Sequence, residues 1–238
     1  MNEHYAQSMV ETKTFPHAQA ADRLSLIFDL IDFDSIRTIC DIGSRWAEQS
    51  IELAHIFSQA QVHAFEPVPD NYRQCMANTK DNPRIKVHPV ALGDATGSIP
   101  FYPVNDTGTE HNLGASSKYR FVEGRNGGFL GKTWHQDEIL VRQETLDSYG
   151  LPVDLIWMDA QGSELDVLQG AVKTLKTVQV ILTEVGTDSY YQGQSLKPEI
   201  DAFLAEQGFV ELPDAQEYCH QYEINTIYVR SKQAKKAP

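Results

Sequence analysis

Two acidic residues and one glycine mark the first place where this chain could do chemistry. In "TICDIGSRWAEQS" (Thr38 to Ser50) a strand-like run ends at Asp41-Ile42-Gly43 and a helical pattern follows. A glycine there lets the backbone approach a ligand without a Cβ clash. The helix start, with Ser44, offers unpaired N–H groups to a carboxylate or phosphate. Strand-glycine-helix turns are common, so this one is ambiguous by itself. The next strand, "QVHAFEP", ends at Glu66, about 20 residues on, where such folds read a ribose diol. A carboxylate can accept hydrogen bonds from both hydroxyls. The glycines that a dinucleotide turn needs after Gly43 are missing, since Ser-Arg-Trp-Ala-Glu-Gln follows. That disfavours a pyrophosphate and favours a nucleoside with an amino-acid tail, such as S-adenosylmethionine.

Further candidates lie near later strand ends. Asp159 closes the apolar run "VDLIWMDA" and is the first choice for a general base, or else a capping carboxylate. Glu164 opens the following helix, where the dipole favours an acid with or without a catalytic role. His135 and His111 stand in a long Gly/Asn/Ser-rich segment and titrate near neutral pH; either could equally be an exposed loop histidine. Glu184, Tyr190 and Tyr191 follow the strand "VQVILTEV", and "LGASS" (Leu113 to Ser117) supplies hydroxyls. Asp159 with Glu184 would suit a hard divalent metal such as magnesium, so a metal is possible but unproven.

Alternating strands and helices must position these groups. "RTICDIG", "QVHAFEP", "IKVHPVALG", "VDLIWMDA" and "VQVILTEV" read as strands. "EQSIELAHIF", "DNYRQCMANTK", "SELDVLQGAVKTLKT" and "KPEIDAFLAEQ" read as helices between them. The pattern predicts a mostly parallel sheet covered on both faces, with ligands at the carboxyl ends of its strands. "FVELP" and "INTIYVR" have no helix between them and read as a closing hairpin. "SIPFYPV" reads as an extra strand and "DRLSLIFDLIDF" (Asp22 to Phe33) as a helix on the domain edge. Residues 1–21 read as a polar N-terminal extension and 22–238 as one domain. Residues 105–138 form a segment long enough to be a lid over the rim.

Composition removes several classes. With Lys+Arg 20 against Asp+Glu 33 the net charge is −13, so a nucleic-acid partner is not expected. The three cysteines show neither zinc spacing nor a disulfide framework. No apolar run is long enough for a membrane span, and the N-terminal residues do not resemble a signal peptide. A cytoplasmic protein without a membrane partner is expected; oligomeric state is not legible.

The ordered set "TICDIGSRWAEQS", "VHAFEPVPDNYRQCMAN", "VALGDATGSIPFY" and "VDLIWMDAQGSELDVLQGA" resembles the FkbM family of S-adenosylmethionine-dependent methyltransferases. "EVGTDSYYQGQSLKPEIDAFLAEQGF" and "NTIYVR" resemble its C-terminal part, so the likeness runs from Thr38 to Arg230. The resemblance implies an α/β class I methyltransferase (Rossmann-like) fold. This is a three-layer sandwich on a seven-stranded, mostly parallel sheet with a C-terminal antiparallel hairpin strand. It implies that Asp41, Gly43 and Ser50 shape the methionine end of the cofactor site, and that Glu66 holds the ribose with Pro67 and Asn71 nearby. Ala91 and Leu92 would border the adenine, and Asp159 would face the methyl group and acceptor. The family's usual Asn is Arg45 here, its second glycine is Ala47, and a usual glutamate is Gln161. The expected reaction is O-methylation of a small hydroxylated molecule, a sugar or secondary metabolite. The alternatives are a non-catalytic binding module of the same fold and a nicotinamide-dependent reductase, which the missing glycines disfavour.

Overall fold

The computed structural model describes residues 19–106, 113–125, 134–220 and 222–231. The chain opens with α1 (Ala20–Ser25), followed by β1 (Thr38–Ile42), α2 (Glu48–Ile56), β2 (Gln61–Phe65), α3 (Pro69–Thr79) and β3 (Ile85–His88). Next come β4 (Ala91–Leu92), β5 (Gly97–Phe101), β6 (Val104–Asp106), β7 (Trp134–Gln136), β8 (Ile139–Glu144) and β9 (Leu155–Met158). The remainder is α4 (Glu164–Gln169), β10 (Val180–Gly186), α5 (Lys197–Glu206), β11 (Phe209–Glu211), β12 (Glu217–His220) and β13 (Glu223–Arg230).

The main sheet has the order β11-β13-β10-β9-β1-β2-β3. β1 pairs in parallel with both β2 and β9, and β10 continues in parallel from β9. β13 runs antiparallel to β10 and to β11, so the closing hairpin supplies the reversed strand. The edge beyond β13 is broken, because β12 also pairs with it. A 3-10 turn begun by Pro213 separates β11 from β12. The strand order reverses between β1 and β9, which puts a crevice above their carboxyl ends.

The central strands are buried on both faces, as their near-continuous apolar runs require. One core packs α1 and α2 residues such as Leu24 and Leu53 on Ile39, Leu155 and Leu182. The other packs Val167, Leu168 and Leu204 of α4 and α5 on Ile42, Met158 and Ile181. These are the outer layers of the sandwich.

Several sequence expectations need adjusting. Ala20 and Ala21, read as extension, are 0% and 2% exposed within the main core, and their N–H groups donate to Glu52 at 3.0 and 2.9 Å. Residues 1–18 of the expected extension lie outside the described residues. The helix expected over Asp22–Phe33 is only the short α1. The strand expected through "IKVHPVALG" divides at Pro89, which has no N–H for the ladder, and β4 joins a second sheet of order β4-β8-β5. The helix expected over "SELDVLQGAVKTLKT" stops at Gly170, where a Cβ would overlap the Gly93 carbonyl. Within the expected lid, β6 and β7 pair antiparallel, and Trp134 of β7 joins an aromatic cluster with Phe121, Tyr190 and Tyr191. Among the described residues no helix is long and apolar enough to cross a membrane.

Candidate functional site

The crevice is built from three strand ends. At the end of β1 the chain turns with Gly43 at φ +80°, Arg45 at +51° and Ala47 at +67°. The last two are non-glycine residues in the left-handed region, a local cost of about 1–2 kcal/mol each that the surroundings must hold in place. A Cβ on Gly43 would overlap the backbone oxygen of Asp159. The glycine is thus required first by the approach of two strand ends, and the crevice forms where they meet.

Beneath this turn lie Asp41 and Ser50. Asp41 is 1% exposed and accepts a short hydrogen bond from the Ser50 hydroxyl. Burial pushes its carboxyl up to about 7. Neither residue lines the crevice, so both support it from below. Ser44 is also buried; its N–H and that of Gly43 donate to the Phe65 carbonyl at 3.1 and 3.0 Å. This ties the turn to the end of β2.

Glu66 follows Phe65 and does line the crevice. Its Oε2 accepts the Arg45 N–H at 2.9 Å, and its Oε1 accepts the Val68 N–H at 2.9 Å and the Asn71 amide at 3.4 Å. Asn71 is fixed in turn by the Trp46 indole N–H at 3.2 Å. Despite these donors, burial pushes the Glu66 carboxyl up to about 8. Pro67, Ala91 and Leu92 complete this side.

At the end of β9, Asp159 faces the crevice at its centre. Its carboxyl is held well above the usual range by burial first and by the neighbouring Glu184 second. The Gln161 amide group donates to Asp159 Oδ1 at 2.6 Å and to Glu184 Oε2 at 3.1 Å. Its carbonyl accepts from the Tyr191 hydroxyl at 2.6 Å, which fixes the direction of the amide. The Ser117 hydroxyl donates to the Gln161 backbone carbonyl at 2.6 Å, tying in the "LGASS" segment. Gln161 itself sits at φ +50°.

This set does not fit a metal. The amide hydrogens of Gln161 point at both carboxylates, where a cation would have to bind. Among the described residues no cluster of three or more metal-ligating side chains occurs.

Two expected catalytic residues are not brought to the crevice. Glu164 is 2% exposed and its Oε1 accepts the N–H groups of Ala160 and Gly162 at 3.0 and 3.1 Å. It closes the β9–α4 turn, and burial pushes it up to about 8. His135 is exposed on β7, its backbone paired with Asn105 of β6, and lines neither part of the crevice. His111 lies outside the described residues.

Sequence reasoning passed over Arg23 and undervalued Arg45 and Gln161. Arg23, on α1, is 5% exposed, donates to the Thr226 carbonyl at 3.0 Å and reaches the crevice. Its signal was hidden because α1 reads as a peripheral helix. The other two appeared only as departures from a pattern.

The strand order with one reversed strand, and the crevice where that order reverses, are those of a class I methyltransferase fold. The chain belongs to the methyltransferase FkbM domain family, whose model matches residues 44–211. It is 31% identical over 161 residues to the 2-O-methyltransferase NoeI of Sinorhizobium fredii. That match covers 66% of each protein, just under two thirds of the relative's length. It is 24% identical over 213 residues, 80% of each chain, to the methyltransferase sdnD of Sordaria araneosa. Among solved structures, a precorrin-6y C5,15-methyltransferase from Geobacter metallireducens covers 91% of this chain and 90% of its own. Its identity is 14% and its TM-score 0.47, so the fold assignment rests on the strand order instead.

Proposed function

We propose that the protein transfers a methyl group from S-adenosylmethionine to a hydroxyl of a small molecule. The observation that carries this reading is the meeting of Glu66, Gly43 and Asp159 around one crevice at the strand-order reversal. The matched relative's name, a 2-O-methyltransferase, supports oxygen as the accepting atom.

The bound cofactor supplies an electrophilic methyl carbon on a positively charged sulfur. The residues of this chain do the rest. Glu66 orients the ribose by accepting from its hydroxyls, which requires its ionised form. Pro67, Ala91 and Leu92 give the adenine an apolar wall. Asp159 and Glu184 form a tightly coupled carboxyl pair, and the ionised member takes the proton of the acceptor hydroxyl as its oxygen attacks. Glu66, Pro67, Ala91 and Leu92 would hold the cofactor, which would supply the methyl group and keep the electron pair of its carbon–sulfur bond. Gln161 holds the pair in place without adding charge. Orientation in such a closed crevice is worth about 7–11 kcal/mol in well-aligned reactions.

The acceptor is a small hydroxylated molecule, a sugar or a secondary metabolite. No nucleic acid is expected to bind a chain of net charge −13. Cys40 and Cys75 are free and buried, consistent with a reducing cytoplasm. No step is assigned to a metal.

Calorimetric titration with S-adenosylmethionine and S-adenosylhomocysteine tests the reading, with Glu66→Gln as the control that keeps the side chain's shape. Micromolar binding to the wild type, weakened at least tenfold in Glu66→Gln, is the expected result. Absence of binding to the folded wild type rejects an active methyltransferase.

A further inference from the structure

The crevice has two lobes, and they open on opposite faces of the main sheet. The first holds Glu66 and is walled by Ile42, Phe65, Val90 and Leu92, which belong to the core under α4 and α5. The second, about 240 Å³, is lined by Trp157 and Leu182, which belong to the core under α1 and α2. Gly43 and Asp159 line both, so the lobes meet where those two strand ends touch.

Strand periodicity explains how the second lobe reaches the carboxyl pair. Trp157 of β9 is in register with Leu182 of β10. Side chains two residues apart share a face, so Asp159 follows Trp157 and Glu184 follows Leu182 toward the carboxyl ends. Asn225 of β13 stands opposite Glu184. α2 contributes Gln49 and α1 contributes Arg23. In methyl transfer the accepting oxygen approaches carbon from the side opposite the sulfur. A lobe on each face, meeting at Asp159, provides that alignment.

The charges of the second lobe are already committed. Arg23 Nη2 donates to the Thr226 carbonyl at 3.0 Å, and its Nη1 lies 3.8 Å from the Glu217 carboxylate. The Arg45 guanidinium lies 4.5 Å from the centre of the Trp46 ring. Asp159 and Glu184 both accept from Gln161. The neutral groups are uncommitted. Gln49 and Asn225 are half-buried, and their side-chain amides make no hydrogen bond among the described residues. Neither does the indole N–H of Trp157, a residue only 8% exposed. An apolar ligand would leave these donors and acceptors unsatisfied, whereas hydroxyls both give and accept hydrogen bonds. A cavity of roughly 150 Å³ holds benzene, so this lobe admits one ring with its hydroxyls and not a chain of rings.

We propose that the second lobe binds the acceptor, and that the acceptor is a neutral polyhydroxylated ring, one sugar or cyclitol unit, whose hydroxyls are read by Gln49, Asn225 and the Trp157 indole. This rests on the methyl-transfer reading above and narrows its acceptor to one chemical class. Gln49 and Asn225 set specificity; Asp159 and Glu184 act on the hydroxyl that lies beside the first lobe.

The test reads Trp157 directly. The chain has three tryptophans, Trp46, Trp134 and Trp157, so an isotope-labelled sample gives three indole N–H signals in a nuclear magnetic resonance spectrum. Trp157→Phe identifies the one in the lobe. The protein is titrated, with and without S-adenosylhomocysteine, with methyl hexosides, with myo-inositol and with a cresol as a flat ring bearing a single hydroxyl. A hexoside or the inositol is expected to move the Trp157 signal saturably, and the cresol to leave it in place. Gln49→Ala and Asn225→Ala should each weaken that polyol about three- to tenfold. By calorimetry their S-adenosylhomocysteine affinity should stay within about twofold of wild type. Glu48 belongs to the turn that holds Glu66 through the Arg45 N–H, so its loss reaches the first lobe and does not separate the two. Melting curves check folding; should one variant not fold, the other decides, and the wild-type titration needs neither.

A Trp157 signal that no polyol moves would overturn the assignment. Tighter binding of the cresol would overturn it too, and would make the lobe a site for aryl alcohols. Equal weakening of polyol and S-adenosylhomocysteine in the two variants would give the lobe to the cofactor instead. If the wild type binds no S-adenosylhomocysteine but a polyol still moves the Trp157 signal, the methyl-transfer reading falls while the ligand class of the lobe stands.

Discussion

The β1–α2 turn and the β9–α4 turn are built alike and finished differently. Each carries non-glycine residues at positive φ, Arg45 and Ala47 in one and Gln161 in the other. Each is followed by a glutamate in the first helical turn that folds back on the backbone. Glu164 accepts two N–H groups from its turn and is buried, so that turn is closed on itself. Glu48 accepts one, and among the described residues its second oxygen has no partner, nor does Nε of Arg45. The same local architecture thus yields a framework in one place and a receptive surface in the other. What separates them is whether the polar groups are satisfied by the chain. A glutamate at a helix start says nothing about catalysis until its hydrogen bonds are counted.

The largest expected effect lies at the centre, where the two turns touch. Asp159→Asn keeps the shape and dismantles the carboxyl pair that takes the acceptor's proton. It should lower kcat by roughly 10²–10⁴ while S-adenosylhomocysteine binding stays near wild type. Steady-state kinetics with any acceptor found by screening, beside calorimetry, separates the two quantities. A change in affinity with kcat intact would make Asp159 a cofactor ligand and return the base to another residue.

The next effect concerns pH. Glu66 and Asp41 at the first turn and Glu164 at the second have folded pKa values of about 8, 7 and 8, raised by burial. A carboxyl raised on folding stabilises the fold fully below its unfolded pKa, near 4, and that contribution is lost as pH rises through the folded value. The ligand-free protein should therefore melt at a lower temperature at pH 8 than at pH 5. Each group adds at most about 1.4 kcal/mol per unit of its shift. Glu164→Gln should flatten part of this slope and leave the share of the first turn. A melting temperature that is level from pH 5 to 8 would mean that the hydrogen-bond donors offset burial at all three sites.

Part of this site is legible in the sequence because strand ends dictate where a side chain goes. Gly43, Glu66, Pro67, Ala91, Leu92 and Asp159 all line the crevice. Asp41, Ser50 and Asn71 act one step behind, through hydrogen bonds that spacing alone does not reveal. Gln161 reads as a loss, because the Tyr191 and Glu184 contacts that give it a role come from a distant strand and turn. The break at Pro89 is a local rule left unused. The aromatic cluster around Phe121 and Tyr191 is different, since it joins segments whose composition looks like loop. His135 follows from that: it sits on a short strand, β7, that leaves it exposed to solvent.

The smallest effect is also the most direct trial of the comparison. Glu164→Ala leaves the N–H groups of Ala160 and Gly162 without their partner, and Glu48→Ala removes a single acceptor. An unsatisfied buried donor costs about 1–3 kcal/mol, so Glu164→Ala should lose about 2–4 kcal/mol of stability. Its affinity for S-adenosylhomocysteine should be nearly unchanged, provided the fraction folded is accounted for. Glu48→Ala should show the reverse, with stability within about 1 kcal/mol of wild type and an affinity loss of several-fold. Chemical denaturation and calorimetry on the two variants suffice. If both lose stability alike and neither loses affinity, the two turns are equivalent frameworks and the open hydrogen-bonding groups at the first turn belong to something other than the cofactor. If Glu164→Ala alone weakens binding, the closed turn presents its backbone to the ligand, and the division between framework and receptive surface runs through β9 instead of beside it.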